Sequence, residues 1–78
     1  MGRYYFNVRS SDELLEDDEG QSFPSVDEAL AYAIRAAREI MSGRVAAGKQ
    51  PNHRTFEIMD EDGRLVLSFP FLDALGPD

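Results

Sequence analysis

Seventy-eight residues leave room for one domain around one small core, and 42% of them are apolar, while fifteen acids outnumber eight Lys and Arg to give a formal net charge of −7. Such an acidic field repels phosphate backbones, so no nucleic-acid partner is expected. Cysteine is absent, which excludes disulfides, thiolate metal sites and a cysteine nucleophile and makes cytoplasm the expected location; apolar runs fall far short of the roughly 20 residues a membrane helix needs, so no membrane partner is expected either.

Residues 3–9 (Arg-Tyr-Tyr-Phe-Asn-Val-Arg) are rich in aromatic and β-branched side chains, with Tyr4, Phe6 and Val8 at period two. This predicts a strand with one buried face. Ser10 to Glu13 are turn formers, and Leu14 to Asp18 read as a short second strand closing at Gly20. Ser25 followed by Glu28 forms a capping box that opens a helix. From there Val26, Ala29, Leu30, Ala33, Ile34, Ala37, Ile40 and Met41 recur at steps of three and four, with Ile34 at the middle of the apolar stripe. The helix should run to about Arg44 or Ala47, with Gly48 as terminator.

Lys49 to His53 read as a loop, and two strands follow around Asp62-Gly63. A two-residue turn there would pair Phe56 with Phe69, Ile58 with Leu67 and Asp60 with Leu65 on the apolar face. The other face would then set Glu57 opposite Ser68, Met59 opposite Val66 and Glu61 opposite Arg64. The apolar tail from Phe69 carries Pro70, which points to an edge strand or a bend.

These elements predict an α+β domain spanning 1–78: one antiparallel sheet of about four strands in the order ββαββ, with one long amphipathic helix packed on one face. One helix covers one face only. The opposite face carries Tyr5, Asn7, Arg9, Thr55, Glu57, Met59, Val66 and Ser68, polar in the main but with Tyr5, Met59 and Val66 as apolar groups fit for an interface.

The opening Arg3 to Arg9, the Asp18-Glu19-Gly20 turn, the capped helix start from Pro24 to Ala29, and Asp60-Glu61-Asp62-Gly63-Arg64 before Leu-Val-Leu and Pro70-Phe71 resemble a family of short bacterial proteins classed as a domain of unknown function. The resemblance spans nearly the whole chain. It implies the layout of turns, cap and core, and brings no activity, ligand or catalytic residue.

Chemical constellations are sparse. The acids crowd turns beside Gly20 and Gly63, where carboxylates are solvated rather than tuned for acid–base work. A calcium loop fails twice: aligned on Gly63 its first and last ligand positions fall on Ile58 and Phe69, and aligned on Gly20 on Leu15 and Val26. His53 is the only histidine, the glycines are isolated, and the Tyr4-Tyr5-Phe6 run lacks the basic groove of a base-stacking platform. No catalytic, metal-binding or cofactor-binding residue is assigned.

Two functions remain as expectations. The first is a non-enzymatic interaction module that self-associates as a homodimer through Tyr5, Met59 and Val66, since a core this small gains from covering a second face. The alternative is a small acidic regulatory protein, antitoxin-like or inhibitor-like, that masks a basic protein partner with its 12–19 segment. An enzyme whose groups assemble only across a subunit interface stays open at the level of sequence.

Overall fold

The computed structural model describes residues 2–48 and 53–75. Of the loop expected from Lys49 to His53, residues 49–52 lie outside them. In chain order the elements are β1 (Gly2–Arg9), β2 (Leu14–Leu15), β3 (Gln21–Phe23), α1 (Val26–Ala46), β4 (Thr55–Met59), β5 (Leu65–Pro70) and a 3₁₀ helix (Phe71–Leu75). The fold is α+β, one antiparallel five-stranded sheet with α1 against it. Central β1 pairs with β4, β4 pairs with β5, and β2 and β3 share the other side of β1.

Period two does what the residues dictate. Tyr4, Phe6 and Val8 turn toward α1, as do Phe56 and Ile58 of β4, and Phe6, Phe56 and Ile58 are buried. Ring contacts run from Phe23 through Phe6 and Phe56 to Phe71, with centroids 5.9, 6.0 and 4.7 Å apart. α1 begins where expected: the Ser25 hydroxyl accepts from the Glu28 N–H at 3.3 Å, satisfying one of the unpaired donors of the first turn.

The buried line of α1 is Ala29, Ala33, Ala37 and Met41, spaced by four. Three alanines in that line leave room for the aromatic side chains that pack with them in the core. Ile34 is therefore on the flank, half-buried against the core, and Ile40 is exposed, so the stripe is centred one position away from the sequence expectation.

Three local features depart from that reading. First, the segment after β2 does not stop at Gly20: it returns to β1 as β3, pairing Tyr4 with Gln21 and Gly2 with Phe23. Second, the chain beyond Pro70 coils into the 3₁₀ helix, which buries Phe71 and Ala74 completely or nearly so. Arg38 Nε donates to the Ala74 carbonyl at 2.9 Å and ties this helix to α1.

Third, the β4–β5 register is as expected only at its far end, where Phe56 faces Phe69, Glu57 faces Ser68 and Ile58 faces Leu67. Near the turn Met59 faces Leu65, not Val66. The connection uses three residues rather than two: Gly63 N–H donates to the Asp60 carbonyl, Asp60 N–H to the Arg64 carbonyl, and Gly63 sits at φ +79°. This is a type I turn with a left-handed glycine, and the residue it consumes is returned by a bulge between Met59 and Ile58. The Asp60 carboxylate favours it by accepting from Asp62 and Arg64 N–H, both at 2.9 Å. Leu65 thereby moves to the outer face, opposite Met59.

Candidate functional site

The outer face of the sheet, away from α1, is shaped by an interruption between β2 and β3. The pairs Val8–Leu15 and Tyr4–Gln21 differ by two residues in register, so five residues, Glu16 to Gly20, lie opposite three of β1. Their backbone cannot continue the ladder, and Asp17 replaces it. Its carboxylate accepts from Phe6 N–H, Glu19 N–H and Gly20 N–H, each at 3.1 Å, while its own N–H donates to Asn7 Oδ1 at 2.9 Å. Arg3 Nη1 adds a bond to the Glu19 carbonyl at 2.6 Å.

Burial, the largest single influence on the Asp17 carboxyl, works to raise its pKa. The three backbone donors and the Arg3 charge outweigh it, and the group is held below its ordinary value of 3.8. Gly20 completes the loop at φ +68°, where an added Cβ would stand 2.8 Å from both the Tyr4 carbonyl oxygen and the Tyr5 ring. The acidic loop is thus pressed against Tyr5.

On β4, Met59 is the direct partner of Tyr5, and the hairpin turn begins at the next residue. The acidic loop and the hairpin turn therefore rise on either side of one spot on the sheet. Between them lies a groove of about 320 Å³, lined by Tyr5, Asn7 and Met59 along the strands and by Glu16, Asp17, Asp18, Asp60, Glu61 and Gly63 at the sides. Tyr5 and Met59 are half-buried, and Glu16, Asp18 and Glu61 are exposed. Among the described residues no lysine or arginine lines it. Asp17 and Asp60 spend their carboxylates on backbone N–H groups, whereas Glu16, Asp18 and Glu61 have no ion pair among the described residues.

Of the three apolar residues expected at an interface, the structure brings Tyr5 and Met59 together. It leaves Val66 exposed but outside the groove, because the bulge shifts it out of register with Met59. The sequence reading missed Glu16, Asp18, Asp60 and Glu61 as neighbours. The signal for them was the Tyr5–Met59 pairing itself, which puts the two Asp/Glu/Gly turns at the same level of the sheet. The outer face continues through Asn7 to an Arg9–Glu57 ion pair of 2.7 Å.

A second, larger and more apolar hollow of about 570 Å³ lies between the last turns of α1 and the 3₁₀ helix, lined by Arg38, Met41, Ser42, Val45, Ala46 and Leu75. Among the described residues no three His, Asp or Glu side chains are grouped to hold a metal ion, and no helix is long and apolar enough to cross a membrane. His53 is exposed.

A family model described as a domain of unknown function, DUF6894, matches residues 3–72. The match covers most of the chain, and the protein belongs to this family. No curated protein and no solved structure matches it.

Proposed function

We propose that this member of the DUF6894 family is a non-enzymatic interaction module that engages a protein partner through the uncovered face of its sheet. The observation that carries the reading is the one-sided construction. α1 and the 3₁₀ helix pack on the inner face, while the outer face presents a shaped groove with a Tyr5–Met59 floor, flanked by Leu65 at 55% exposure. Large apolar groups beside a formed groove are more informative than the same groups scattered over a surface.

Self-association through this face is the second reading, favoured by Leu65 and Met59 lying side by side on it. Two copies meeting face to face would, however, bring Glu16, Asp18 and Glu61 of one toward those of the other, and like charges in juxtaposition are costly.

Photo-crosslinking tests the proposal. A benzophenone amino acid replaces Met59 on the outer face or, as a control, Arg35 on the exposed side of α1, and each protein is irradiated in extract of its host cell. A discrete adduct at position 59, competed away by excess unlabelled protein and absent at position 35, is the expected result. Equal labelling at both positions, or none at 59, would overturn the reading. An adduct of twice the chain mass would assign the face to a second copy.

A further inference from the structure

Resting on the interaction-module reading above, we infer that the occupant of the outer-face groove is a cationic protein segment, an exposed stretch bearing arginine or lysine. The argument is charge complementarity over a floor of suitable shape. Two loops far apart in the chain, each built on an Asp that caps its own backbone, bring Glu16 and Asp18 to one side of the groove and Asp60 and Glu61 to the other.

Four of the described arginines have partners other than the rim carboxylates. Arg3 bonds the Glu19 carbonyl, Arg9 pairs with Glu57, Arg38 bonds the Ala74 carbonyl, and Arg64 lies 3.7 Å from Asp62. The rim carboxylates of Glu16, Asp18 and Glu61 form no ion pair with any described residue. Between them lie the phenol ring of Tyr5 and the thioether of Met59. Such a floor suits the aliphatic stem of a long basic side chain, whose charged end then meets the rim. A second copy would bring the same acids to the same place, and a nucleic acid would bring phosphates. Both are repelled by the field that attracts a basic segment.

The test measures binding of a fluorescein-labelled octa-arginine peptide by anisotropy at low and moderate salt, with octa-glutamate as the negative probe. Two triple variants carry the same change of net charge. The rim variant is Glu16→Gln, Asp18→Asn, Glu61→Gln; the remote variant is Asp12→Asn, Glu13→Gln, Glu39→Gln. Circular dichroism confirms that each is folded.

Each exposed charge pair contributes a factor of roughly 1.4 to 5, so the rim variant, with three charges removed, should lose about threefold to a hundredfold in affinity. The remote variant, which changes only the long-range field, should lose much less. Equal losses, or an unaffected rim variant, would refute the inference. If a partner crosslinks at position 59 yet binds the rim variant as well as the native protein, the interaction face stands and its cationic occupant falls. If position 59 captures nothing and octa-arginine does not bind, both fall.

Discussion

Alanine at Gly20 probes the junction between fold and groove. The residue sits at φ +68°, and a Cβ there would approach the Tyr4 backbone oxygen and the Tyr5 ring to 2.8 Å. Left-handed backbone alone costs an L-residue about 1–2 kcal/mol. Gly63, at φ +79° with nothing within 4 Å of its added Cβ, isolates that term. Gly63→Ala should therefore lower stability by about 1–2 kcal/mol. At Gly20 the same strain is joined by overpacking against backbone that is paired into the sheet on its other side, a further cost of about 1–3 kcal/mol. For a domain of this size each kcal/mol corresponds to roughly 4–8 °C in Tm. Thermal melts followed by circular dichroism should show a drop for Gly20→Ala about twice that for Gly63→Ala, or a chain unfolded at room temperature. Equal drops would mean that the loop does not press on Tyr4 and Tyr5, and the described wall of the groove would be wrong.

Asp17→Asn puts an amide where one of the Phe6, Glu19 and Gly20 donors needs an acceptor, at an expected cost of about 1–3 kcal/mol near neutral pH. Because the Asp17 carboxyl is held below 3.8 in the folded chain, its ionisation stabilises the fold above the unfolded value. That contribution is lost as pH falls through the folded value, so urea melts of variant and native protein should differ at pH 7 and converge in strong acid; a gap that persists there would deny the charged role. Removing the helix cap with Ser25→Ala should cost about 1 kcal/mol, read as a lowered urea midpoint. Ala33→Leu should destabilise by about 1–3 kcal/mol, since Ala33 is fully buried in the core cluster beneath α1; a neutral result would show slack in that packing. Phe71→Ala, emptying the largest fully buried site, should cost about 3–5 kcal/mol, and a small effect would show that the 3₁₀ helix is not part of the core.

What could be read in advance was what depends on local periodicity. β1 and α1 declared themselves by steps of two and of three or four, and Ser25 by its place before the first apolar residue of α1. The far end of the hairpin was readable because only one register keeps Phe56, Ile58, Leu67 and Phe69 on one face. What escaped depends on tertiary context. Asp-Gly fits a two-residue turn and a three-residue turn equally well, and the Asp60 carboxylate decides between them through bonds to Asp62 and Arg64. Gln21 to Phe23 has no period to show, and becomes a strand only because β1 has a free side above Tyr4. The groove was hidden for the same reason, since acids beside glycines look like solvated turns until β1–β4 pairing sets the two turns side by side.

The way the sheet ends explains why contact should be sought on its face. β5 borders only β4 among the described strands, and an uncovered edge invites another strand. Here it is blunted. Phe71 N–H donates to the Arg54 carbonyl, so by the alternation of an antiparallel ladder Phe69 and Leu67 turn their backbone groups toward β4 while Ser68 and Pro70 turn theirs outward. Proline at that position removes one outward donor without weakening the sheet, and the bulge beside Leu67 breaks the row at its other end. On the opposite side β2 and β3 have two and three residues, separated by the Asp17 loop. Neither edge offers the continuous run of backbone donors and acceptors that strand addition requires. The inner face is occupied by α1 and the 3₁₀ helix, which leaves the Tyr5–Met59 face, with its acidic rim, as the formed surface on which a partner can be held by side chains rather than by backbone.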